Sequence, residues 1–134
     1  MRLPHREEGL RWLEQARADM RGAEVLHANG IFHLVCFIAQ QVAEKALKAY
    51  LYTQGETMVT GHSVAALAEW AKEYDPEFGN LGSMVSPLDA FYITARYPNG
   101  LPASTPSKVF GEKTASDALD LARTALSFVA GRIG

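Results

Sequence analysis

Cysteine is nearly absent from this chain: Cys36 is the only one among 134 residues. A lone cysteine excludes an internal disulfide and any zinc cage built on thiolates. Charge of one sign is also lacking, since 13 basic residues face 15 acidic ones for a net charge of -2. No global basic field therefore advertises nucleic acid, and any basic site must be argued residue by residue. No apolar run approaches the roughly 20 residues of a membrane span. The N-terminal "MRLPHREEGLRW" has no apolar core of the kind a secretory signal needs, and the expected compartment is the cytoplasm. Glycine-rich phosphate loops and dinucleotide turns are missing too. Gly82-Ser83 resembles the start of a nucleotidyltransferase loop, but no paired aspartates follow to hold magnesium. His5, His27, His33 and His62 are scattered without a second ligand at metal-binding spacing, so neither metal nor cofactor is expected. Ser63 beside His62 has no third partner for nucleophilic catalysis.

What remains is helical. Apolar residues make up 48% and charged residues 21%, the balance of a globular protein with a real core. Leu13, Ala16, Met20, Ala23 and Leu26 form a stripe at three- and four-residue steps, predicting a first helix from about Glu7 to His27. Asn29 or Gly30 suits its C-terminal cap. A second, central helix is predicted between Gly30 and Gly55, where Phe32, Cys36, Ala39, Ala43, Ala46 and Tyr50 face the core. Its first half is apolar nearly all round, as a helix buried among others should be. "HSVAALAEWAKEY" predicts a short third helix with Val64, Leu67, Ala68 and Ala71 inward, capped by Thr60 or Ser63. Leu81, Val85, Leu88, Tyr92 and Ala95 predict a fourth, kinked or restarted at Pro87 and ending near Arg96. "PNGLPASTPSK" reads as a loop, and Thr114 to Asp117 as the capping signal of a last helix carrying Leu119, Ala122, Leu126 and Val129. The expected architecture is all-α, a single domain over residues 1–134 forming an antiparallel up-and-down bundle of about five helices.

"FHLVCFIAQQVAEKALKAYL", then "GHSV", then "ITARYP" together resemble the HEPN domain family, over nearly the whole chain. The resemblance implies a helical bundle that dimerises, often beside a minimal nucleotidyltransferase in a toxin–antitoxin pair. Ribonuclease members carry an arginine followed four to six residues on by a histidine. Arg96 matches that arginine, but "YPNGLPA" supplies no histidine, and the chain is similar to the "RYP" branch. The resemblance therefore implies binding of a nucleotide, an RNA phosphate or a partner rather than cleavage. The alternatives are a metal-independent ribonuclease toxin and a purely structural helical dimer.

Arg96 is the leading candidate, because a guanidinium offers a planar fork to phosphate or carboxylate. As a mere cation in the last turn of a helix it would contribute about 0.3–1 kcal/mol. Lys45 and Lys48, on the central helix, are its candidate companions; by default they are solvated, with Glu44 and Lys48 an i,i+4 pair. Glu44 could instead anchor Arg96. His62 either starts the third helix or meets a ligand. Tyr97 could stack on a base or sit in a dimer contact.

Overall fold

The structure, a computed structural model, describes residues 4–133. Among them there is no strand. Helix α1 (His5–Ala28) buries the predicted stripe of Leu13, Ala16, Met20 and Ala23, together with Gly9. Helix α2 (Phe32–Thr53) is the centre, with thirteen buried residues distributed around its circumference. It packs against α1, α3 (Val64–Ala71) and the long C-terminal α7 (Glu112–Ile133). Helix α4 (Phe78–Val85) closes the bundle against α3 and α7. The core runs from Leu13 through Leu47 and Phe78 to Val129. The predicted Cys36, Ala39, Ala43, Ala46 and Tyr50 lie in it, the predicted Leu26, Phe32 and Tyr92 are only half-buried, and Leu47 and Phe78 join it unpredicted.

Both long N-terminal helices stop by the same device. Gly30 and Gly55 adopt positive φ (75° and 106°). After α1, the amide of Gly30 donates to His27 O and that of Ile31 to Leu26 O. After α2, Gly55 and Glu56 donate to Tyr52 O and Leu51 O. These paired bonds satisfy carbonyls that the helix itself leaves open, and the left-handed conformation costs glycine little. Ser63 caps α3 as predicted, its side chain accepting from the Ala66 amide at 3.1 Å.

Four expectations are corrected. The fourth helix is neither kinked nor cleanly restarted: α4 passes into a 3-10 segment, Ser86–Ala90, and then a single α-turn, α5 (Phe91–Thr94). Pro87, which has no amide hydrogen to give, sits in the first turn of that 3-10 segment where none is needed. The proline-rich stretch is not wholly loop, holding a 3-10 turn at Pro98–Gly100 and a one-turn α6 (Pro106–Val109). Helix α7 begins at Glu112, so Thr114 lies inside it and does not cap it. On α7 it is Ala125 that is fully buried, while Leu126 is half-buried. No helix among the described residues is long and apolar enough to cross a membrane.

Candidate functional site

Polar residues in the middle of an apolar helix demand partners, and α2 carries three that are buried: Gln40, Glu44 and Lys48. They step by four, one above another on one face. Gln40 Nε2 donates to the backbone carbonyl of His62 at 2.6 Å and to Asp89 Oδ1 at 3.2 Å. Gln40 Oε1 accepts from Gln41 Nε2 at 2.8 Å, and Gln41 Nε2 also reaches Glu44 Oε1 at 3.3 Å. Glu44 Oε1 meets His62 Nδ1 at 3.1 Å, and its Oε2 meets Lys48 Nζ at 3.3 Å. The default expectation of a solvated Glu44–Lys48 pair is thus corrected. Trp12 of α1 lies beneath the ammonium, 5.5 Å from ring centroid to Nζ, and the two side chains are shut in between helices.

Asp89, in the 3-10 segment, is the residue that ties the α2 network to α3. Its carboxylate accepts from the amides of Val64 (2.7 Å) and Ala65 (2.9 Å) and from Ser63 Oγ (3.1 Å). These are amides that the first turn of α3 leaves open, and a negative charge there complements the helix dipole. The loop bearing His62 is therefore held from two sides, by Gln40 and by Asp89.

Tyr92 connects this network to Arg96. His62 stacks on Tyr92, with centroids 4.8 Å apart and planes 17° from parallel. The Arg96 guanidinium lies 4.5 Å from the same ring, 4.4 Å from Phe37 of α2 and 5.1 Å from Tyr97. Arg96 Nε donates to the carbonyl of Tyr92 at 2.6 Å. Its two terminal nitrogens meet no acceptor among the described residues. The guanidinium is accordingly positioned by one hydrogen bond and three rings, with most of its donor fork unspent. Glu44 does not anchor Arg96, because both of its oxygens are taken by His62, Gln41 and Lys48.

The candidates thus divide. Arg96, His62, Tyr97 and, through His62, Glu44 form one continuous patch. Lys48 belongs to it only as the buried counter-ion of Glu44. Lys45 is not in the patch: it pairs with Asp19 across the α1–α2 seam. Phe37, Gln40, Asp89 and Tyr92 were not singled out from the sequence as site residues; adjacent glutamines within an apolar helix were the one local signal available. A small concavity of about 190 Å³ lies at His62, Ser63, Asp89 and Tyr92. A larger concavity, about 590 Å³, lies elsewhere, along the outer side of α1 at Trp12, Arg11 and Arg21. Its lining mixes both charge signs without a buried group, so we place the site where the fixed polar atoms converge. Among the described residues, no three His, Cys, Asp or Glu side chains cluster as a metal site would need.

An all-α bundle whose central apolar helix carries a buried polar row, with an arginine delivered beside it, defines a class, and comparison with known proteins places the chain within it. The HEPN domain model matches residues 10–132, and this chain belongs to the HEPN family. Among solved structures it is similar to TT1696 from Thermus thermophilus, at 35% identity and a TM-score of 0.80, covering 92% of this chain and 96% of that one. It is also similar to ST0689, described as an archaeal HEPN homologue, at 29% identity and a TM-score of 0.75, over 94% and 98% of the two chains. A search among curated proteins finds no match.

Proposed function

We propose that this HEPN-family chain is a binding module for a nucleotide phosphate, with no bond-breaking chemistry of its own. The observation that carries the proposal is Arg96: Nε is fixed on Tyr92 O, the plane is packed on Phe37, Tyr92 and Tyr97, and the terminal nitrogens are unspent. A guanidinium held so loses little freedom on receiving a phosphate, and two parallel donors match two phosphate oxygens. His62 Nε2, which meets no partner among the described residues, adds a second donor or acceptor on the same ring of Tyr92. The module works as a homodimer and beside a minimal nucleotidyltransferase, the setting that family resemblance implies. Ile93 and Tyr97, each more than two-fifths exposed, supply the apolar contact next to the arginine. The dimer face is therefore assigned to the α5 side.

One observation favours a second reading, metal-independent cleavage of RNA. The ribonuclease motif lacks its downstream histidine, yet His62 arrives at Tyr92 from another part of the chain, oriented by Glu44. Incubating the purified protein with labelled RNA in EDTA separates the two. Binding without cleavage is the expected result. Cleavage abolished in both Arg96→Ala and His62→Ala overturns the binding-only proposal in favour of the enzyme.

A further inference from the structure

A groove of about 300 Å³ runs along the α1–α2 seam, and Phe37 is the side chain it shares with Arg96. That volume is at the lower end of what small-molecule sites occupy. Ala18 and Gly22 of α1 and Phe37 and Ile38 of α2 give it apolar walls, and the Asp19–Lys45 ion pair bounds it. Small residues on α1 leave room for a flat ring beside the Phe37 side chain.

Gln41 also lines the groove, and its orientation is determined by its neighbours. Both atoms that its Nε2 approaches, Gln40 Oε1 and Glu44 Oε1, are acceptors. Reversing the amide would set oxygen against oxygen at both contacts. Gln40 is fixed in turn, because its own Nε2 faces the His62 carbonyl and Asp89. Gln41 Oε1 therefore has no partner among the described residues. It is not sealed away either, for no buried side-chain oxygen or nitrogen there lacks a hydrogen bond. An acceptor held open at the edge of an apolar slot asks for a donor on a flat, apolar ligand.

We infer that the α1–α2 groove is the base subsite of the phosphate site at Arg96, and that it selects a base carrying an exocyclic amine, which donates to Gln41 Oε1. The inference rests on the nucleotide-binding proposal above. The base lies against Phe37, Ala18 and Gly22, while the phosphate meets Arg96, whose guanidinium packs on the same Phe37 ring.

The test uses three ligands: AMP, purine riboside monophosphate (AMP without its amino group), and ribose phosphate. Titrated into the wild-type protein, AMP should bind about tenfold or more tightly than purine riboside monophosphate, since an analogue that leaves an acceptor unpaired loses roughly that factor. Gln41→Leu should erase the preference. Gly22→Leu should block the slot and bring AMP close to ribose phosphate. A Cβ at Gly22 would meet nothing within 4 Å, and leucine in place of a helical glycine favours the helix, so a melting curve at or above wild type excludes misfolding. If AMP binds and depends on Arg96 but ignores both Gln41→Leu and Gly22→Leu, the groove inference falls and the phosphate site stands. If AMP shows no binding at millimolar concentration, both fall together.

Discussion

Arg96 and His62 share one ring: the guanidinium lies 4.5 Å and the imidazole 4.8 Å from the centroid of Tyr92. The tyrosine is the ring through which the two side chains meet as one site. Ring contacts of this kind contribute about 0.5–1.5 kcal/mol each. Tyr92→Phe, which keeps the ring, should bind AMP as wild type does. Tyr92→Ala should weaken binding roughly three- to tenfold, with the loss read by titration calorimetry.

Glu44 and Lys48 form an ion pair that is almost wholly shut off from water. Removing one member of such a pair strands the other and costs about 3–5 kcal/mol. Glu44→Ala should therefore lower the urea midpoint severely. The double variant Glu44→Gln with Lys48→Met should recover most of the loss, since no charge is then left buried. Equal destabilisation of the single and double variants would contradict this account of the pair.

Asp89 should matter to folding more than a residue of a short 3-10 segment ordinarily does. It receives two amides and a hydroxyl at the start of α3, and hydrogen bonds to a charged group contribute roughly 1.5–3 kcal/mol. Asp89→Ala should cost about 2–3 kcal/mol in urea unfolding, and Ser63→Ala about 1 kcal/mol. Loss of Asp89 should also weaken AMP binding, through the loosened His62 loop.

The bundle was legible because its apolar stripes repeat at helical spacing, which needs only neighbours three and four residues away. The Ser63 cap was legible for the same reason. The fourth helix was harder: Pro87 announces a break, but whether the chain kinks or tightens into 3-10 geometry depends on packing against α3. Glu44 and Lys48 look like any surface pair in sequence; only Trp12, thirty-odd residues earlier, and His62, eighteen later, reveal their burial. Asp89 was invisible as a cap because it acts across 25 residues on Val64. Local chemistry was readable, and chemistry assembled across helices was not.

Cys36 and Asp75 act on the pH behaviour in opposite directions. Burial pushes the Cys36 thiol up from 9.0 to about 11. In the unfolded chain the thiol ionises first, so the thiol's contribution is constant below about pH 9 and stability falls as pH rises towards 11. Thiol reagents at pH 8 should consequently react slowly with native protein and rapidly in denaturant. Asp75 is held below the ordinary 3.8 by the Glu77 amide first and by the Arg132 guanidinium second. Its contribution is present above about pH 4 and is lost as pH falls through the lowered value. Asp75→Asn should flatten the acid limb of a stability profile.

The central claim is that Arg96 is presented for an anion rather than spent on the fold. Its truncation also empties the space among three rings, so Arg96→Ala should cost about 1–2 kcal/mol of stability, more than a helix-end cation alone, and still leave a folded protein. Arg96→Lys keeps the charge and loses the fork. The decisive measurement is calorimetric titration of AMP into wild type, Arg96→Ala and Arg96→Lys, each with a melting curve on the same sample. Affinity at least about tenfold weaker in both variants, with cooperative melting retained, is the predicted result. Wild-type affinity in both, or an Arg96→Ala protein that no longer folds, would make Arg96 structural and contradict the account.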